Sequence, residues 1–137
     1  MKIDNILDGN LKISPKEHSP LSLAFIGDAV YELYVRCRIS GSKIAPAGKL
    51  HKEAVKYVRA HSQAEAIKAI QESLTEEELS IFKRGRNAKS ATVPKNADMT
   101  DYRLATGFEA LVGYLYLEGK TERLTEICKM AMSEAQE

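Results

Sequence analysis

The chain has 137 residues, of which 44% are hydrophobic and 28% charged, with a net charge of +1 and two cysteines. That length and balance suit one soluble globular domain with a real core and exclude wholesale disorder. No apolar run reaches membrane-spanning length, and the N-terminal segment has no basic start followed by an apolar stretch, so a cytoplasmic protein that meets no membrane is expected. Cys37 and Cys128 lack metal-type spacing and His18, His51 and His61 are scattered, which predicts buried free thiols in place of a disulfide or a zinc site.

In chain order, Ile3, Ile6 and Leu7 give weak periodicity before the polar Asp8-Gly9-Asn10, enough for one helical turn at most. Ser19-Pro20 is a helix start, Ser as N-cap and Pro where its missing N–H costs nothing. The helix it opens runs to about Ile39 and closes at Ser40-Gly41. Leu21, Phe25, Asp28, Tyr31 and Val35 form one stripe, and Ile26, Val30, Leu33 and Cys37 a second, so this helix is apolar all round and is expected to be the buried centre of the fold. Asp28 is then a submerged carboxylate that needs a partner. Gly27 inside the helix predicts the close approach of another backbone, from a crossing helix or a symmetry mate.

A second helix over about Lys49 to Ala60 turns Leu50, Ala54 and Val58 inward, and a third over about Ser62 to Ser73 aligns Ala66, Ile67 and Ile70. Thr75 and Glu78 form a capping box that opens a fourth, ending near Arg84. Residues 85–98 are small, polar and basic without periodicity and are read as a long loop, a feature more often functional than idle. The next helix, about Thr100 to Glu118, carries Leu104, Phe108, Leu111 and Leu115 on one line and Ala105, Glu109, Val112 and Tyr116 on the adjacent one. Glu109 thus repeats the oddity of Asp28. Gly119 ends that helix, and Thr121 caps a last one with Leu124, Ile127 and Cys128. No alternating strand pattern and no repeat are present, so the fold class is all-α, a single helical bundle of about six helices.

Two acids in apolar surroundings on separate helices share a proton, pair with a Lys or Arg, or bind a hard divalent cation. If they bind an ion, oxygen ligands without nearby His or Cys favour Mg²⁺, with Mn²⁺ able to substitute. Lys83, Arg84, Arg86, Lys89 and Lys95 follow one another with no acid among them, a stripe of the kind that meets phosphates or simply a solvated face. Together these features suggest phosphodiester hydrolysis, in which such an ion activates water and neutralises developing charge.

Leu23-Ala-Phe-Ile-Gly-Asp-Ala-Val-Tyr-Glu-Leu33 resembles the signature helix of ribonuclease III catalytic domains, and Phe108-Glu-Ala-Leu-Val-Gly-Tyr-Leu-Tyr-Leu117 resembles that family's second acidic helix. Arg84-Gly-Arg-Asn-Ala-Lys89, Pro94-Lys-Asn96 and Tyr102 with Thr106-Gly-Phe-Glu109 are similar to the compact Mini-ribonuclease III branch, which consists of the catalytic domain alone; only about 18 residues follow Gly119. The resemblance implies one catalytic domain over 1–137 and an all-helical homodimer. It also implies Mg²⁺-dependent hydrolysis of double-stranded RNA with 5′-phosphate ends, with the precursor of large-subunit ribosomal RNA as substrate. Asp28 and Glu109 stand at the family's catalytic and metal-ligand positions, whereas Ala24 and Thr106 replace two further acids of the longer enzymes. Glu32 matches a family glutamate with a structural or a near-metal role. Lys83, Arg84, Arg86, Lys89 and Lys95 are the candidates for phosphate contact, giving binding that weakens steeply with salt, with Asn87 and Asn96 reaching groove edges or setting turns. Tyr31, Tyr34 and Tyr114 are expected to pack. The competing reading is a non-catalytic RNA-binding module of the same fold associated with ribosomal RNA; a helical DNA-binding protein has only the charge pattern behind it.

Overall fold

The computed structural model describes residues 12–89 and 98–134, and among them no strand occurs. Six α-helices follow in order: α1 (Pro20–Ser40), α2 (Ala47–Val58), α3 (Ala60–Ile70), α4 (Glu76–Asn87), α5 (Met99–Leu117) and α6 (Thr121–Glu134). Short 3-10 turns precede α1 and follow α3. The start and stop signals act as their chemistry requires. Ser19 accepts the Ser22 N–H, Thr75 and Glu78 exchange both bonds of a capping box, and Gly119 leaves α5 at φ 73°.

The centre is α5 rather than α1. Every residue from Ala105 to Tyr116 except Glu109 is buried, and α5 packs against α1, α3, α4 and α6. By contrast α1 is covered on one side only. Leu23, Gly27, Val30, Tyr31, Val35 and Ile39 face the core, whereas Phe25 is 78% exposed and Leu21 and Leu33 are 36% and 37% exposed. A helix that is apolar all round gives no sequence signal of which side turns inward, and the stripe of Leu21, Phe25 and Asp28 turns out to lie on the open face. Cys37 likewise is exposed, and Cys128 alone is the buried thiol, its pKa pushed up to about 12 by burial.

The core beneath α5 is aromatic and aliphatic. Tyr31 meets Phe108 edge to face at 4.9 Å, and Phe82, Ile67, Leu111, Leu115, Leu124 and Ile127 are fully enclosed. Tyr31 and Tyr114 therefore pack as expected, and Tyr34 is half-buried under the Arg38 guanidinium. An ion pair between buried Glu78 and partly exposed Arg123 closes one end: Arg123 of α6 donates from Nε and Nη2 to the Glu78 carboxylate, each at 2.8 Å, and from Nη2 to the Ser73 carbonyl at 2.8 Å. The capping-box glutamate thus joins α4 to α6, a second use that its spacing alone does not announce.

Candidate active site

Residue types at one crossing set the geometry. A Cβ on Gly27 would lie 1.7 Å from the Glu109 carbonyl oxygen, and one on Gly113 would lie 2.0 Å from the Leu23 carbonyl oxygen. Helices α1 and α5 therefore touch backbone to backbone, a distance only glycine permits. Asp28 follows Gly27 directly, so the crossing delivers it to Glu109. The two carboxyls lie close enough that Asp28 helps to raise the Glu109 pKa.

The depth of the pair differs from the sequence expectation. Asp28 is exposed and Glu109 is half-buried, so the site is a rim where the crossing meets solvent. Burial pushes the Glu109 pKa up to about 8, with the Asp28 carboxylate next in weight and Glu32 adding a smaller like-charge effect. Among the described residues, no Lys or Arg forms an ion pair with either carboxylate. Glu32, one turn on from Asp28, lies 3.6 Å from Arg36.

Gln63 of α3 is a site residue that the sequence reading passed over. It is 2% exposed, and its Nε2 donates to the Val58 carbonyl at 2.8 Å and to Glu109 Oε2 at 3.4 Å. The signal was present: Gln63 sits on the inward stripe with Ile67 and Ile70, a polar residue in an apolar line as Glu109 is in α5.

Two oxygen donors of the hard class thus come together, and burial with the neighbouring Asp28 favours the protonated form of Glu109. This fits a Mg²⁺-type ion, which takes one or two protein carboxylates and completes its shell with water and phosphate. The donor set stops there. Among the described residues no third His, Cys, Asp or Glu completes a ligand cluster. Ala24 is buried without a donor, and the Thr106 hydroxyl is spent on the Tyr102 carbonyl at 2.9 Å.

The basic segment begins as helix. α4 continues through Asn87, three residues past the expected end, and Gly85 explains why: its bare face lies against the Gly107 Cα and the Ala110 Cβ, locking that turn onto α5. The C-terminal end of α4 is therefore fixed within a turn of Glu109. Lys83, Arg84, Asn87 and Lys89 are exposed there, and the first three line one shallow depression. Arg86 is held, its guanidinium 5.7 Å over the Phe82 ring and its Nε donating to Asn87 Oδ1 at 3.0 Å. Lys95 and Asn96 lie outside the described residues, as does the segment 90–97 that contains them.

Comparison with known proteins gives a consistent result. Residues 21–120 match the Ribonuclease III domain family. The chain is 56% identical over 119 residues to the Mini-ribonuclease 3 of Thermoanaerobacter sp. (strain X514), covering 87% of this chain and 84% of that one. It is 45% identical over 124 residues to the Mini-ribonuclease 3 of Staphylococcus aureus (strain NCTC 8325 / PS 47), covering 89% and 90%. A crystal structure of a Fusobacterium nucleatum protein matches with a TM-score of 0.78 at 33% identity, over 86% of this chain and 94% of that one.

Proposed function

The chain belongs to the ribonuclease III family and is an endoribonuclease, and we propose that it cleaves double-stranded RNA with Mg²⁺ held by Asp28 and Glu109. The observation that carries this reading is the carboxyl pair at the α1–α5 crossing, where the two helices touch main chain to main chain and no described Lys or Arg pairs with either acid. Asp28 and Glu109 would hold the ion, Glu109 after releasing its proton to solvent. When bound, such an ion supplies Lewis acidity toward a phosphodiester and lowers the pKa of water at the site. Lys83, Arg84, Arg86 and Lys89, with Lys95, grip the RNA backbone, and Asn87 orients Arg86 while Asn96 reaches the groove. In this reading the substrate is the precursor of large-subunit ribosomal RNA, the products carry 5′-phosphates, and the protein works in the cytoplasm.

The active form is a homodimer in this reading. Leu21, Phe25, Asp28 and Glu32 recur at helical spacing on the open face of α1, so an exposed apolar patch adjoins the carboxylates. No described helix is long and apolar enough to cross a membrane, so this patch serves no span.

The test is Asp28→Asn. Asn keeps the shape of Asp28 and removes only its charge, so the fold is kept while cleavage of duplex RNA falls by at least about a hundredfold, the scale of losing a metal ligand or its support. Labelled duplex RNA, duplex DNA and single-stranded RNA, each with and without Mg²⁺, provide the readout. Full activity of the variant on duplex RNA would refute the assigned role, and binding without cutting by the wild type under every metal condition would refute the nuclease mechanism.

A further inference from the structure

The Gln63 side chain is enclosed at the meeting of α2, α3 and α5, and three facts about it go together. Its amide is fully committed as a donor, one N–H to the Val58 carbonyl and the other to Glu109 Oε2. Reversing the amide would face its oxygen against two other oxygens, so its orientation is fixed by its partners. Its own oxygen, buried with the rest, has no hydrogen-bond partner. A glutamine kept only for stability would satisfy that oxygen, because an unmatched acceptor away from water costs more than a methionine or leucine of the same shape.

We propose that Gln63 is a positioning residue: it clamps Oε2 of Glu109 so that the carboxylate presents to the ion beside Asp28 in one orientation. The inference rests on the metal role assigned to that pair. Val58 ends α2, and its carbonyl is one of the acceptors a helix end leaves open, so the amide is anchored to main chain on one side and steers a side chain on the other. Ligands of a metal are held in this way by outer partners, whose loss costs about 10- to 100-fold in metal affinity or activity.

Gln63→Met tests it, since methionine keeps the volume and removes both donors. Isothermal calorimetry of the RNA-free protein with Mg²⁺ or Mn²⁺ is expected to show metal binding weakened about tenfold or more. In saturating RNA, kcat at fixed Mg²⁺ falls while KM for duplex RNA is unchanged. The melting temperature of the metal-free protein changes little, because the unmatched Gln63 oxygen is lost together with the bond to the Val58 carbonyl. In a Glu109→Gln background the same substitution has no further effect on metal binding, because Gln63 acts through that carboxylate. A variant with wild-type metal affinity and kcat but a lowered melting temperature would overturn the proposal and leave Gln63 as a cap on α2. If Gln63→Met does not fold, the wild type still decides: its Gln63 side-chain amide signals should exchange slowly and shift when Mg²⁺ is added, and an amide blind to the metal overturns the proposal. Failure of the wild type to bind metal at all would refute the metal site itself, a separate outcome.

Discussion

Glu109 is the residue at which burial, charge and chemistry meet. Its pKa in the fold, about 8, stands well above its ordinary 4.5, so between those values the folded chain holds a proton that the unfolded chain has released. Stability of the metal-free protein therefore falls as pH rises from about 4.5 to 8, and a divalent cation taken up as proposed near neutral pH would expel that proton. Calorimetry at pH 7 in buffers of different ionisation enthalpy should register up to about one proton released per ion, and identical heats in all buffers would contradict the coupling. The sequence singles out Asp28 and Glu109 as candidates, because an acid in an apolar stripe is conspicuous whatever the fold. It misplaced their depth, because exposure of Asp28 depends on what α1 leaves uncovered. Gln63 went unread because an uncharged amide on a stripe is less conspicuous than a carboxylate, although the spacing argument is the same.

Helix by helix, the boundaries set by capping chemistry were legible, and those set by tertiary contact were not. Thr75 with Glu78 and Ser19 with Pro20 announce their ends locally, whereas α4 outlasts its apolar pattern because Gly85 docks on α5. Likewise α1 looked like the centre from its composition, and α5 takes that place because four helices pack on it. The crossing of these two can be tested directly. Gly27→Ala drives a methyl into the Glu109 carbonyl, so α1 and α5 must separate at a cost of about 3 kcal/mol, the upper range for overpacking, and cleavage should fall with the carboxyl spacing. Urea melts and duplex-RNA cleavage read both effects; a variant of wild-type stability and activity would contradict the contact. Arg123→Met leaves Glu78 buried without its cation and should lower stability by about 3 kcal/mol with little change in kcat, because the clasp lies on the α4–α6 side away from Glu109.

As a whole molecule, the protomer shows a face it does not itself cover. Phe25 at 78% exposure beside Leu21 is more apolar surface than an isolated helix face needs, and it runs alongside Asp28. Phe25→Glu should shift light scattering at micromolar concentration from dimer toward monomer and lower cleavage with it; an unchanged mass would contradict the homodimer. The all-helical class and its element order could be read from periodicity, since helices of this length declare their period within themselves. Their packing partners depend on residues far apart in the chain and could not. The Gly27–Gly113 contact carries one more consequence. Because main chain abuts main chain there, the separation of the two helix axes is dimensioned by peptide geometry, and only the final reach of each acid is left to side chains such as Gln63. Drift in the surrounding interior can therefore alter how readily the molecule melts while leaving the two backbones that carry Asp28 and Glu109 at their original spacing.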